Sequence, residues 1–362
     1  MRDSIKSSGD IDASNVAKTT MIVASISALV LLLGYLFVAA LHYFLLLFAG
    51  VLIASFWTGM ARWIVAKTGW PHLVSLTLAV LGCFAVLVGI FWYLGPAISG
   101  QFDQLFERLP SMLDTVEGKF REYEWSRELV NMVANGEGMS ETPQKIAMQA
   151  LGFVGTTFGF LVDSVLVIAL ALFISANPKM YRDGLALLFP KRNRSRISHA
   201  LNASSYTLFM WLVGRIVDMT ILGVATGIGL WALGFDLALA LAMLTALLCF
   251  IPNIGPVLSV VPPALVAVSN PELQVWWVLV LYVVIQVLES NLLTPLIQEK
   301  AVEMPPALLL VMQVVFAAVL GGLGLMLATP IVAVALVLVK MLYVEDVLGE
   351  RLEPKGELET NP

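Results

Sequence analysis

The chain has 362 residues, of which 59% are hydrophobic and 13% charged, with a mean hydropathy of +0.87 and a formal net charge of −5. Soluble domains carry about 25% charged residues, so this composition excludes an ordinary soluble globule and makes the lipid bilayer the first partner. No basic stripe with interleaved aromatics is present, which argues against a nucleic-acid partner.

Residues 1–19 are polar and read as a disordered cytoplasmic tail, without the apolar core and small-residue cleavage site of a secretory leader. Windows of about 20 apolar residues, enough to cross a ~30 Å hydrocarbon core, fall at 20–39, 42–60, 73–95, 151–176, 206–232, 274–293 and 323–343. Three further apolar runs, 237–251, 256–269 and 307–320, are too short for an untilted crossing. They are thin tilted spans or re-entrant half-helices. Pro252, Gly255 and Pro256 mark a reversal that favours the re-entrant form for 237–269. For 307–320, the Gly321-Gly322-x-Gly324 break allows either, and Lys340 favours a thin crossing with a cytoplasmic C-terminus. The expected fold is all-α: a polytopic integral membrane protein with about seven or eight transmembrane helices, broken or re-entrant in its C-terminal half. Its parts are three N-terminal spans within 20–95, an extracytoplasmic helical segment over 96–150, a transport core over 151–343 and a tail over 344–362.

Charge sets the expected orientation. The loop 177–205 carries Lys179, Arg182, Lys191, Arg192, Arg194 and Arg196 against one acid, Asp183, and Arg62 and Lys67 follow the second span. Both regions belong in the cytoplasm by the excess of bases in short inner loops, and the N-terminus with them. The acidic stretch 96–150 belongs outside. Within it Ile98, Phe102, Leu105, Leu109, Met112 and Val116 recur at alternating spacings of four and three, the heptad seam of a helix packed on another helix. The seam is a candidate contact either with the chain's own surface or with a neighbouring subunit.

Charged groups at bilayer depth cost about 2.5–3.5 kcal/mol on insertion scales and mark paired or functional positions. Asp163 lies near the middle of its span and is the first candidate for a proton or cation site; a helix-to-helix hydrogen bond is the alternative. Arg215 and Asp218 share a helix face and can neutralise one another. Gln286 and Glu289 share another face, with Asn291 and Pro295 following, either as a cation or solute site or as an interfacial group that reaches water. Asn253 and Gln313 stand beside the helix breaks, where freed carbonyls can coordinate ions. The spacing Gly255 to Pro263 repeats as Gly322 to Pro330, and with Pro256 and Gly324 these residues line the expected path.

Enzyme signatures are missing: His42, His72 and His199 lie in separate regions, and no H-E-x-x-H, G-x-S-x-G or G-x-x-x-x-G-K-[ST] occurs. Cys83 and Cys249 sit in apolar runs as small hydrophobes. Neither a cofactor nor a metal is expected. The basic run 191–196 reads as a positive-inside anchor or an anionic-lipid site.

Several ordered stretches resemble the autoinducer-2 exporter family of bacterial permeases: L233-G-F-D-L-A-L-A-L-A, I251-P-N-I-G-P, Q286-V-L-E-S-N-L-L-T-P-L-I, M304-P-P-A-L and G321-G-L-G-L-M-L-A-T-P. Gln298 stands where many members of that family have glycine. The resemblance implies an inner-membrane homo-oligomer, a pentamer, and activities from signal-molecule export to sodium– or lithium–proton antiport. The expected function is therefore a permease for a small solute or monovalent cation that uses no ATP, with Asp163 and Glu289 as coupling groups. The alternative is a membrane scaffold that binds a partner through its extracytoplasmic segment.

Overall fold

The computed structural model describes residues 13–121, 157–270, 273–293 and 305–349, and every regular element among them is helical. Helix α1 (Ala13–Thr68) runs unbroken through both windows, 20–39 and 42–60, that the sequence divides into two spans. The residues between those windows are Ala and Leu, strong helix formers with nothing to reverse the chain. Fifty-six residues make a rod of about 84 Å, with Ala13 and Thr68 at opposite ends. The helix stops at Gly69, which takes φ +71°, with Pro71 just beyond.

Helix α2 (His72–Arg121) carries the third span directly into the expected extracytoplasmic segment, despite Pro96 and Pro110. Its seam is used within the chain. Ile98, Leu105 and Met112 are buried, and the last two belong to one apolar cluster with Leu237, Leu241, Val266 and Val278. Phe102 packs against the same cluster and Leu109 is half-buried. Of the two contacts considered for this seam, the one with the chain's own surface is present at Leu105 and Met112. The side chain of Val116, the turn at Asn135 and all of Pro295 lie outside the described residues.

Helix α3 (Thr157–Ala176) runs parallel to α1, since His42 meets Asp163 and Gly50 meets Leu170. A bend of 87° then leads into α4 (Pro178–Leu187), capped by the Asn177 side chain, which accepts from the Met180 N–H. A short helix lying across its span, with Leu185 and Leu187 exposed, suits the membrane interface. Helix α5 (Arg194–Ala232) opens with two bases that have internal tasks. Arg194 donates to the Phe189 and Leu187 carbonyls at the end of α4. Arg196 donates to Glu345, Asp346 and the Met341 carbonyl at the far end of the chain. One end of the molecule therefore gathers Lys67, Lys179, Arg196 and residues 340–346. Lys191 and Arg192 remain exposed there.

Two hairpins follow. The first descends through α6 (Ala238–Leu248), reverses at Cys249–Asn253, and returns through α7 (Ile254–Ser259) and α8 (Val261–Ser269). Its descending arm lies antiparallel on α5, where Gly223 and Gly227 face Ala246 and Ala242. Two small residues per helix at a spacing of four let the backbones approach closely. A methyl group on Gly223 would sit 2.8 Å from the Ala246 Cβ. Gly223→Leu is therefore expected to cost about 1–3 kcal/mol through overpacking, seen as a lower unfolding temperature of the purified protein. Unchanged unfolding would mean that the pair is loosely packed.

After α9 (Val275–Leu288) and a π-helical turn over Glu289–Leu293, the second hairpin is formed by α10 (Pro306–Val339). This 34-residue helix is not straight. Gly321 takes φ 66° and ψ −151°, outside helical geometry. A methyl group on Gly324 would lie 2.5 Å from the Phe316 carbonyl oxygen, which a straight helix holds about 12 Å away along its axis. The arms 306–320 and 322–339 therefore fold back on each other at Gly321 and form a hairpin. Among the described residues four helices are long and apolar enough to cross a membrane, or five if the bent α3–α4 pair counts as one span. The all-α polytopic class holds.

Candidate functional site

Helix reversals inside apolar sequence free carbonyls that lipid cannot satisfy. At the tip of the first hairpin two carbonyls accept from side chains of other elements, and one of them, Pro252, also accepts the Ile254 N–H at 2.7 Å. Arg215, from the middle of α5, donates Nε–H to the Phe250 carbonyl at 3.1 Å, and Trp211 packs edge-on against the Phe250 ring. Gln313, from the second hairpin, donates Nε2–H to the Pro252 carbonyl at 3.0 Å. The same amide lies 3.3 Å from the Thr329 hydroxyl on the opposite arm of its own hairpin. Gln313 and Thr329 are 16 residues apart, with Gly321 midway between them, so this contact exists only because the arms fold back. One side chain thus ties both arms of the second hairpin to the tip of the first.

Charge at this crossing is balanced locally. Arg215 pairs with Asp218 through Nη1, and both side chains are nearly excluded from the surface, at 11% and 6% relative exposure. The sequence pattern anticipated this pair. It did not anticipate that the guanidinium also spans to the hairpin tip, so the pair supports a backbone reversal besides neutralising itself. Glu289 lies within electrostatic reach of both partners and accepts from Gln286 Nε2 at 2.9 Å. Asn291 instead bonds the Val287 carbonyl of its own helix.

The glycines and prolines at the breaks act through the backbone. Asn253 has φ 64° and ψ −46°, the centre of a γ-turn that the Ile254 N–H closes onto the Pro252 carbonyl at 2.7 Å. It is exposed, and its contribution is the turn itself. Gly255 admits no side chain, because a methyl group would lie 2.0 Å from the Leu248 carbonyl oxygen. Pro256 is buried behind it. In the second hairpin the left-handed position is Gly321. Gly324 provides close approach, Gly322 is half-buried, and Pro330 lies buried beside Thr329.

Asp163 is not part of this crossing. Its Oδ2 meets His42 Nε2 at 3.2 Å where α3 packs on α1, with side-chain exposures of 31% and 44%. The lone-carboxylate candidate is therefore half of an Asp–His pair. Sequence reasoning missed His42 as its partner. It also missed a buried hydroxyl group cluster beside the first hairpin, where Thr245 and Tyr282 hydroxyls are 2.8 Å apart. Thr226 and Ser259 are at most 1% exposed. A signal existed for Tyr282, which stands seven residues before Glu289 and so shares its helix face.

An apolar helical protein with two hairpins broken at glycine and proline and braced against a charged helix shares a feature with transporters, whose sites are often built at broken helices. The chain belongs to the AI-2E transporter family: residues 26–343 match the profile described as AI-2E family transporter. It is 26% identical over 334 residues to the Bacillus subtilis protein named "Putative transport protein YueF", covering 88% of each chain. To the AI-2 transport protein TqsA of Escherichia coli K12 it is 23% identical over 315 residues, covering 83% of this chain and 86% of that one.

Proposed function

We propose that this protein is a permease that moves a small solute or monovalent cation across the bacterial inner membrane without hydrolysing ATP. The observation that carries the reading is the Gln313–Pro252 bond, which closes the two hairpins on each other at the depth of a buried ion pair. With the basic end in the cytoplasm, the first hairpin enters from outside and the second from inside, so each guards one entrance. Opening to either side then requires exchanging the Gln313 and Arg215 bonds to the tip carbonyls for bonds to water or cargo. A net hydrogen bond contributes about 0.5–1.5 kcal/mol, so the exchange is small enough for ordinary cargo binding to drive.

Coupling to a proton or sodium gradient is assigned to Asp163, with His42 as its partner, and to Glu289. The functional unit is a homo-oligomer, for which the family resemblance implies a pentamer. A scaffold role is less well supported, because much of the seam it would offer to a partner is buried on the chain itself. Flux in proteoliposomes with a pH-sensitive dye and imposed sodium or potassium gradients tests the proposal. Cation-dependent proton movement that disappears in Asp163→Asn or Glu289→Gln is the expected result. Flux unaltered across pH in both variants removes the coupling assignment, and no flux of any tested ion leaves uncoupled solute transport.

A further inference from the structure

Where the first hairpin leaves the membrane, opposite the basic end, a cavity of about 250 Å³ lies between its two roots and helix α2. Ligand pockets for drug-sized molecules run to about 300–1,000 Å³, so this one suits a smaller guest. Arg108 enters it from α2 and Asp236 from the root of the descending arm, while Ser269 and Asn270 come from the root of the returning arm. Ser111 lines it too, although its hydroxyl is already donated to the Arg108 carbonyl. The floor is apolar, with Met112 and Leu237 both buried.

Opposite charges that share so small a space ordinarily pair. Here they do not. Among the described residues neither the Arg108 guanidinium nor the Asp236 carboxylate makes an ion pair or a side-chain hydrogen bond, with each other or with anything else. Both residues are exposed. A guest carrying one anionic and one cationic group would satisfy both at once, and each contact would be a charge-assisted bond, the stronger kind. A singly charged guest would leave one of the two without a partner.

We infer that this cavity is a binding site for a small zwitterion of amino-acid type, its carboxylate on Arg108 and its ammonium on Asp236. The inference deepens the permease reading by naming a class of cargo, and it rests on that reading only in calling the guest cargo. Because the cavity is bounded by both roots of the first hairpin, a bound guest would hold those roots against α2.

The test is equilibrium binding to the full-length protein in lipid nanodiscs, using L-serine and γ-aminobutyrate as zwitterions of different charge separation and acetate and ethylammonium as single-charge controls. At least one zwitterion should bind saturably and more tightly than either control. Arg108→Gln and Asp236→Asn should each weaken it about tenfold or more, the loss of one charge-assisted bond. Exchanging the two charges, Arg108→Asp with Asp236→Arg, should recover part of the affinity. Both positions are exposed, so these variants leave the core intact. No saturable binding of either zwitterion overturns the site, as does binding that ignores both substitutions or controls that bind as tightly. Flux of the same zwitterion, measured separately, tests transport: binding without flux keeps the site and removes the cargo reading.

Discussion

Asp218→Asn should be among the most damaging single substitutions in the protein. It removes the counter-charge of a guanidinium that is only 11% exposed. Breaking one side of a buried pair typically costs about 3–5 kcal/mol, because the remaining charge has no solvent to replace its partner. Arg215 must also hold the Phe250 carbonyl, so an unpaired arginine that swings toward water takes the hairpin tip with it. The companion experiment is the double variant Arg215→Met with Asp218→Leu. Apolar replacement of a whole buried pair is often neutral or stabilising, offset here by about 1–3 kcal/mol for the orphaned Phe250 carbonyl. The double variant should therefore unfold at a higher temperature than Asp218→Asn while losing flux. An Asp218→Asn protein as stable as the parent would show that water reaches the guanidinium, and the crossing would then be an open, hydrated path.

The second large effect is expected at Gly255. A methyl group there would lie 2.0 Å from the Leu248 carbonyl oxygen and 2.9 Å from the Cys249 Cα, both backbone atoms that no side-chain rotation can move. Gly255→Ala must displace the tip itself. The Phe250 carbonyl then loses registry with Arg215, at about 1–3 kcal/mol for a buried group left unsatisfied, and the Pro252 carbonyl, which also accepts the Ile254 N–H, loses its bond to Gln313. Gly82 and Gly95 on α2 provide controls, since a methyl group at either meets nothing within 4 Å. Alanine at these helical positions should be neutral or stabilising by about 0.5–1 kcal/mol. Thermal unfolding of the three variants side by side decides the matter: equal behaviour would mean that the tip is soft and that its geometry does not hold the crossing together.

Much of this arrangement was legible in the linear chain because its physics is local. Proline and glycine in apolar sequence announced both reversals, at 252–256 and 321–324, since few other residues interrupt a helix there. Spacings of three paired Arg215 with Asp218 and Gln286 with Glu289, because neighbours on a helix face are set by 3.6 residues per turn. The heptad seam announced that α2 packs on something. The continuity of α1 was less legible: hydropathy counts apolar length and holds no term for a turn that fails to form.

What the sequence alone determined, then, is the class of protein, the positions of its breaks and the residues that must be shielded from lipid. All three follow from one-dimensional properties: apolar length, backbone conformational preference and charge. The tertiary structure decided who shields whom. Gln313 meets Pro252 and Thr329, His42 meets Asp163, and Arg196 meets Glu345 and Asp346. The seam of α2 meets the first hairpin at Leu105 and Met112. These partners lie tens to more than a hundred residues apart, in most cases on separate helices, and helical periodicity relates residues only within one helix. Choosing among the many apolar faces available requires the fit of small residues such as Gly223 against Ala246, a property of two surfaces together that neither segment carries by itself.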